Sequence, residues 1–310
     1  MSDPVISAQD VTKRYGEVLG LNGFSATIGP GITGLIGPNG AGKSTLFRLL
    51  VGQLKTDAGD LRILGFPTWG EGEFRRKVGY CPEHNALFEW MSARDFVTTL
   101  LRVDGFPKAE AEERATSAIA AVDLTEAQDR RLGTFSKGMR QRIKLAQSIA
   151  HGPELLLLDE PLNGVDPVGR ASVIALLRRL QKEGRHVVVS SHVLYEVERL
   201  TDQIVMISNG RAIAQGDLHR IRDLIDAHPH VIDLETPDPR GVARVLGRLD
   251  HVVSIEFPGA GRLRVRSRSP EEFYRSLPDL VVQEGLDVRA VSSADDNLDA
   301  VFRYLSEGGH

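Results

Sequence analysis

Two stretches carry residue types that could do chemistry. Y-C-P-E-H-N-A-L-F at 80–88 places Cys81, Glu83 and His84 within four residues. A zinc site needs about four ligands, and Cys81 is the only cysteine, so no second thiolate completes one. The second stretch, GPNGAGKST at 37–45, follows an apolar strand and precedes the helical pattern Leu46, Leu49, Leu50. It has the phosphate-loop form G-x-x-x-x-G-K-[ST] in strand–loop–helix context. Its glycines let the backbone bend so that successive N–H groups face phosphate oxygens, and the helix N-terminus adds its positive dipole end. The loop formed by Gly37, Pro38, Asn39, Gly40, Ala41, Gly42, Lys43, Ser44 and Thr45 is therefore expected to wrap a phosphate chain. Lys43 would supply a full charge and Ser44 a hydroxyl for Mg²⁺.

A phosphate loop needs carboxylates. E-L-L-L-L-D-E at 154–160 reads as a strand buried on both faces, ending in Asp159 and Glu160. Asp159 would hold Mg²⁺ through its water shell. Glu160 can act as general base toward an attacking water, or be an exposed strand-end carboxylate. Such hydrolysis needs no cysteine, so Cys81 is read as the small apolar end of a strand and His84 as a loop residue.

The elements that must position these groups follow from pattern. GITGLIG (31–37) and HVVVSS (186–191) read as further strands, and VMISNGRAIAQGD (205–217) as a hairpin turning at Asn209-Gly210. Strands alternating with helical patterns indicate an α/β sheet with crossovers. Ser136 in FSKGMRQR is a good N-cap, and Lys137 in the first turn opposes the helix dipole unless an anion docks there. After about residue 220 the character shifts, with a boundary expected in the proline-bearing AHPHVIDLETPDPR. Beyond it the expected order is strand 231–236, helix 240–249, strands 252–257 and 262–267, helix 270–284, strand 286–291 and helix 295–305. Without its last helix this is the β-α-β-β-α-β order of a ferredoxin-like unit. The expected domains are 1–220 and a small α+β domain at 228–310.

The composition is that of an ordinary globular protein of 310 residues, 41% hydrophobic and 26% charged. A net charge of −4 supplies no basic field for nucleic acid. The N-terminus has no secretory pattern, and no apolar run approaches the roughly 18 residues of a membrane span. A soluble chain is expected. If it works at a membrane, another subunit must cross it.

Together these residues resemble the nucleotide-binding subunit of an ATP-binding cassette (ABC) transporter, over about residues 5–217. Tyr15 in VTKRYG matches the aromatic that stacks on adenine, GPNGAGKST the Walker A loop and LLLLDEP the Walker B strand. FSKGMRQR matches the family signature through Ser136, Lys137 and Gly138, with Lys137 where many members have glycine. LNGVDP matches the loop that crosses the dimer interface, with Asp166 in place, and SSH puts His192 at the position that contacts the γ-phosphate. Glu83 stands where the family has a glutamine that meets Mg²⁺ and the attacking water.

The resemblance implies a P-loop NTPase fold with a helical subdomain, ATP and Mg²⁺ as ligands, and a location at the cytoplasmic face of the cell membrane. It implies pairing head to tail around ATP, with itself or with a similar subunit; a homodimer, with Glu160 in each of two equivalent sites, is the favoured form, with Ser136 and Lys137 reading the γ-phosphate held by the partner copy. An integral membrane permease is the other implied partner. Leu87, Phe88, Trp90 and Met91 in the loop 84–95 could receive it, or could be core of the helical subdomain. The C-terminal segment loosely matches an exporter pattern at Asn297–Phe302, which favours an exporter over an importer or a soluble ABC protein. Arg262, Arg264, Arg266 and Arg268 alternate on one strand face, suited either to lipid phosphates or to neighbouring carboxylates.

Overall fold

The computed structural model describes residues 3–70, 72–84, 87–218, 221 and 230–293. The chain divides into two compact units, Met1–Leu218 and His219–His310. The first unit runs β1 (Ile6–Tyr15), β2 (Val18–Ile28), β3 (Ile32–Ile36), α1 (Lys43–Leu50), β4 (Ala58–Ile63), β5 (Phe66–Pro67) and β6 (Val78–Cys81). It continues through α2 (Ala93–Val103), α3 (Lys108–Ala121), α4 (Lys137–Ala150), β7 (Leu155–Asp159), α5 (Pro167–Lys182), β8 (His186–Ser191), α6 (Leu194–Glu198), β9 (Gln203–Ser208) and β10 (Arg211–Asp217).

Its centre is a six-stranded sheet in the order β10-β9-β3-β8-β7-β6. All neighbours from β9 to β6 are parallel, and β10 closes one edge as an antiparallel hairpin. The unbroken leucine run of β7 shows why a parallel sheet needs no alternation. Leu155 and Leu157 enter a core shared with α1 and the antiparallel sheet β2-β1-β4-β5. Leu156 and Leu158 enter the opposite core, built from α2, α3, α4 and α5. Each of these fully buried leucines stabilises the fold by about 1.5–3 kcal/mol.

Helix α4 lies directly against β6. A Cβ at Gly79 would run into the Ser148 carbonyl oxygen, so only glycine permits that approach. The expected N-cap is present: the Ser136 side chain accepts from the Met139 N–H at 3.3 Å. The hairpin also turns as read, with Asn209 at φ 48° and Gly210 at φ 74°.

The second unit contains β11 (His230–Glu235), α7 (Pro239–Leu246), β12 (Val252–Gly259), β13 (Arg262–Ser267), α8 (Pro270–Gln283) and β14 (Ala290–Ser293). Its sheet order β12-β13-β11-β14, antiparallel throughout, is that of a ferredoxin-like unit. Ile232, Leu234, Leu263 and Val265 pack under the helix residues Val242, Leu246, Phe273 and Leu277.

Two expectations need correction. The proline-bearing stretch is not simply a boundary: within it Asp238 caps α7 by accepting from the Gly241 N–H at 3.0 Å, and Pro239 opens that helix. The last strand starts at Ala290 rather than 286, because Gly285 at φ 62° ends α8 and the Leu286 N–H returns to the Val281 carbonyl at 3.0 Å. The expected helix 295–305, with Asn297–Phe302, lies outside the described residues.

Three arginines of the row, Arg262, Arg264 and Arg266, lie in β13 and resolve toward paired carboxylates, whereas Arg268 lies beyond the end of that strand at Ser267. Arg264 grips Asp233 through Nε–Oδ1 at 2.7 Å and Nη2–Oδ2 at 2.9 Å, Arg262 reaches Glu235 at 3.3 Å, and Arg266 reaches Glu256 at 3.2 Å.

Candidate functional site

The phosphate loop leaves β3 at Ile36 and turns into α1. Gly40 at φ 80° and Gly42 at φ 111° occupy the left-handed region that a side chain disfavours. A Cβ at Gly37 would run into the Ile207 carbonyl oxygen. The β9–β10 turn braces the loop from behind, with the Gly210 N–H donating to the Ala41 carbonyl at 2.9 Å. Lys43 is buried, and its ammonium donates to the Gly37 carbonyl at 2.7 Å and to the Pro38 carbonyl at 3.2 Å. The same nitrogen stands 3.6 Å from Glu160 Oε1. Tyr15, 41% exposed, lies over Gly20: its Cε2 is 2.7 Å, and Thr45 Oγ1 3.1 Å, from where a Cβ of Gly20 would sit. Gly20 thus makes room for the ring beside the last residue of the loop.

Asp159 and Glu160 are both buried at the end of β7. Ser190, from the adjacent strand β8, donates to Asp159 Oδ1 at 2.5 Å and accepts from the Glu160 N–H at 3.0 Å. Glu160 sits at φ 50°, a conformation that costs a residue with a Cβ about 1–2 kcal/mol. Its Oε2 pairs with His192 Nδ1 at 3.0 Å. Its Oε1 is buried and has no hydrogen-bond partner. Burial pushes the Glu160 carboxyl above the usual range, against the hydrogen bond to His192 and the charge of Lys43. The result is a buried carboxylate with one oxygen held by His192 and the other without a hydrogen bond beside the Lys43 ammonium.

Glu83 is exposed, and it lines a cavity of about 1030 Å³ together with Ser44, Tyr80 and Asp159. Cys81 is fully buried, its thiol pushed up to about 12 by desolvation. Its neighbour His84 is exposed, so the Cys-Glu-His cluster does not converge. Among the described residues no group of three His, Cys, Asp or Glu side chains stands ready to hold a metal ion. A Mg²⁺ ion bound through one or two protein ligands, water and substrate phosphates needs no such group. Ser44, Asp159 and Glu83, oxygen donors that line the same cavity, suit such an ion.

Ser136, Lys137 and Gly138 form a different neighbourhood. Lys137 Nζ donates to Asn163 Oδ1 at 3.3 Å and its stem lies against Gly164, whose carbonyl is 3.4 Å from where a Cβ of Gly138 would sit. Asp166 caps α5 by accepting from the Gly169 N–H at 2.9 Å, which lowers its carboxyl pKa.

The structure thus brings Lys43, Ser44, Asp159, Glu160, His192 and Glu83 to one region, with Tyr15 beside Thr45. Ser190, Gln141 and Lys144 were not read from sequence as functional. Gln141 donates to the Glu160 carbonyl at 3.3 Å, and Lys144 to the Pro82 and Glu83 carbonyls at 2.8 Å each. For Ser190 the available signal was a polar residue inside a buried apolar strand, whereas nothing in the helix pattern marked Gln141 or Lys144.

A family model described as ABC transporter matches residues 21–163. The daunorubicin/doxorubicin resistance ATP-binding protein of Streptomyces peucetius is 32% identical over 308 residues, 98% of this chain and 92% of that one. The chain belongs to the ABC transporter ATP-binding family. The Nod factor export ATP-binding protein I of Rhizobium etli is 31% identical over 288 residues, 89% of this cassette chain and 90% of its own. An ABC transporter ATP-binding protein of Bacillus subtilis is 38% identical over 188 residues, 61% of this chain and 62% of its own. A solved ATP-binding cassette, a dimer in a post-hydrolysis state with ADP and Pi, shares the fold at TM-score 0.64 and 23% identity, covering 69% of this chain and 98% of that one. Among the described residues no helix of this cassette chain is long and apolar enough to cross a membrane.

Proposed function

We propose that this chain is the ATP-hydrolysing subunit of an ABC exporter, working as a homodimer beneath a separate membrane permease at the cytoplasmic face of the cell membrane. The observation that carries the hydrolysis reading is Glu160: a buried carboxylate with one oxygen fixed on His192 and the other without a hydrogen bond, ion-paired with the phosphate-loop lysine at 3.6 Å. Once Lys43 turns to a bound phosphate, that second oxygen is placed to take a proton from the attacking water. The Lys43 ammonium is placed to exchange loop carbonyls for phosphate oxygens. Ser44, Asp159 and Glu83 would hold Mg²⁺, which when bound neutralises charge on the phosphates. His192 fixes the orientation of Glu160, and Tyr15 offers a ring face to adenine.

Ser136, Lys137 and Gly138 stand with Asn163 and Gly164, away from their own phosphate loop. In a head-to-tail pair they would face the ATP of the partner copy, with Asp166 at the crossing. The relatives named for drug resistance and Nod factor export support the exporter reading. In the loop after Glu83, Leu87 and Met91 pack on the core of the helical subdomain, whereas Phe88 and Trp90 are 51% and 72% exposed. The two exposed rings are 6.3 Å apart and suit a permease contact.

Purification from membranes tests the assignment. A multi-helix subunit should co-purify, with ATPase activity that Glu160→Gln abolishes. Recovery with ribosomes or DNA alone would overturn it.

A further inference from the structure

Lys144 is 2% exposed, although lysine is among the residues least often buried without a partner. Its ammonium is spent on main chain: it donates to the carbonyls of Pro82 and Glu83 at 2.8 Å each. These are consecutive peptide groups of the loop that carries Glu83 onto the cavity wall with Ser44 and Asp159. Lys144 does not act alone. Residues 137, 141, 144 and 148 follow one another on a single face of α4 at helical spacing. Down that face, Lys137 meets Asn163, Gln141 meets the Glu160 carbonyl, Lys144 meets the Glu83 loop, and the Ser148 carbonyl packs on Gly79. The helix whose N-terminus carries Ser136 therefore touches, along one edge, both the segment bearing the general base and the segment bearing Glu83. At the far end the helix comes close enough to β6 that a side chain at Gly79 would run into the Ser148 carbonyl oxygen.

We propose that Lys144 is a positioning residue for the proposed ATPase reaction, pinning the Glu83 loop to the signature helix α4 so that the loop moves with that helix. The proposal rests on the ATPase reading for its effect on turnover, but the pinning itself is a property of the nucleotide-free chain. A charged donor shared between two carbonyls leaves both without a partner when removed, and the loop loses its fixed geometry.

The test compares Lys144→Met with Lys144→Arg in the purified full chain. Hydrogen exchange in the peptide from Tyr80 to His84 should quicken about tenfold in Lys144→Met and stay near wild type in Lys144→Arg. Turnover should fall about tenfold in Lys144→Met, while affinity for a fluorescent ATP analogue measured without Mg²⁺ stays within about twofold. If Lys144→Met fails to fold, Lys144→Gln takes its place, since its shorter amide cannot span both carbonyls. Wild-type exchange and turnover in the folded variant would overturn the proposal, as would equal damage from the arginine. A wild-type chain that hydrolyses no ATP would sink the ATPase reading alone, because the exchange measurement would still judge Lys144.

Discussion

Removing the hydroxyl of Ser190 should cost far more than a serine usually does. This side chain is fully buried and makes two bonds at once, donating to Asp159 Oδ1 at 2.5 Å and accepting from the Glu160 N–H at 3.0 Å. The bond to a carboxylate is worth about 1.5–3 kcal/mol, and a buried N–H left without an acceptor costs about 1–3 kcal/mol. The lower parts of those ranges sum to about 3 kcal/mol for Ser190→Ala. Both tryptophans, Trp69 and Trp90, lie in the first unit, so their fluorescence during urea unfolding reports that unit alone. With a urea slope of about 2–3 kcal/mol per M, the midpoint should fall by about 1–1.5 M. Ser191→Ala is the comparison: that residue is also buried, but its hydroxyl accepts from the half-buried Val193 N–H at 3.0 Å and donates at 3.2 Å to Glu196, which keeps Arg170 at 2.9 Å. Loss of that hydroxyl should cost about 1 kcal/mol. Turnover by Ser190→Ala should also fall about tenfold, since both carboxylates lose their shared anchor. A midpoint within about 0.3 M of wild type, with turnover intact, would refute this reasoning.

The remaining predictions address the other contacts. Lys43→Ala should abolish tight ATP binding, checked by equilibrium binding of a fluorescent nucleotide. Glu160→Gln should slow hydrolysis by orders of magnitude while leaving ATP binding and an ATP-bound dimer, seen by single-turnover assay and size-exclusion chromatography. Glu83→Gln should remain active in a steady-state ATPase assay, because an amide oxygen can replace the carboxylate as an oxygen donor. In the second unit, the Arg264 hydrogen bonds hold Asp233 below its ordinary value of 3.8. The stability this contributes is fully present above pH 3.8 and is lost as pH falls through the lowered value. Arg264→Ala should bring the Asp233 titration, followed by carboxyl-carbon NMR, back toward 3.8.

Most of the frame was legible because it is local. The leucine run of β7, the glycines of the phosphate loop, the Asn209-Gly210 turn and the Ser136 cap are written over a few adjacent residues. The paired arginines were legible as a face, but their partners Asp233 and Glu256 belong to other strands and were fixed only by register. The pairings inside the site are of the same kind. Glu160 meets His192 and Lys43 across parallel strands, and no spacing rule joins positions so far apart in sequence. Lys144 was invisible for another reason: on a helix pattern a lysine reads as solvent-facing, and only packing against β6 turns that face inward.

The buried thiol of Cys81 has a practical consequence. The thiolate is the reactive form, and desolvation holds this one near 12 in a fully buried site. The native chain should therefore react only slowly with maleimides and similar probes at neutral pH. A cysteine placed at any exposed position would be the molecule's dominant label, with little background to subtract. Single reporters near Phe88, beside Tyr15 or on the second unit could then follow each region through a nucleotide cycle in the otherwise unaltered protein.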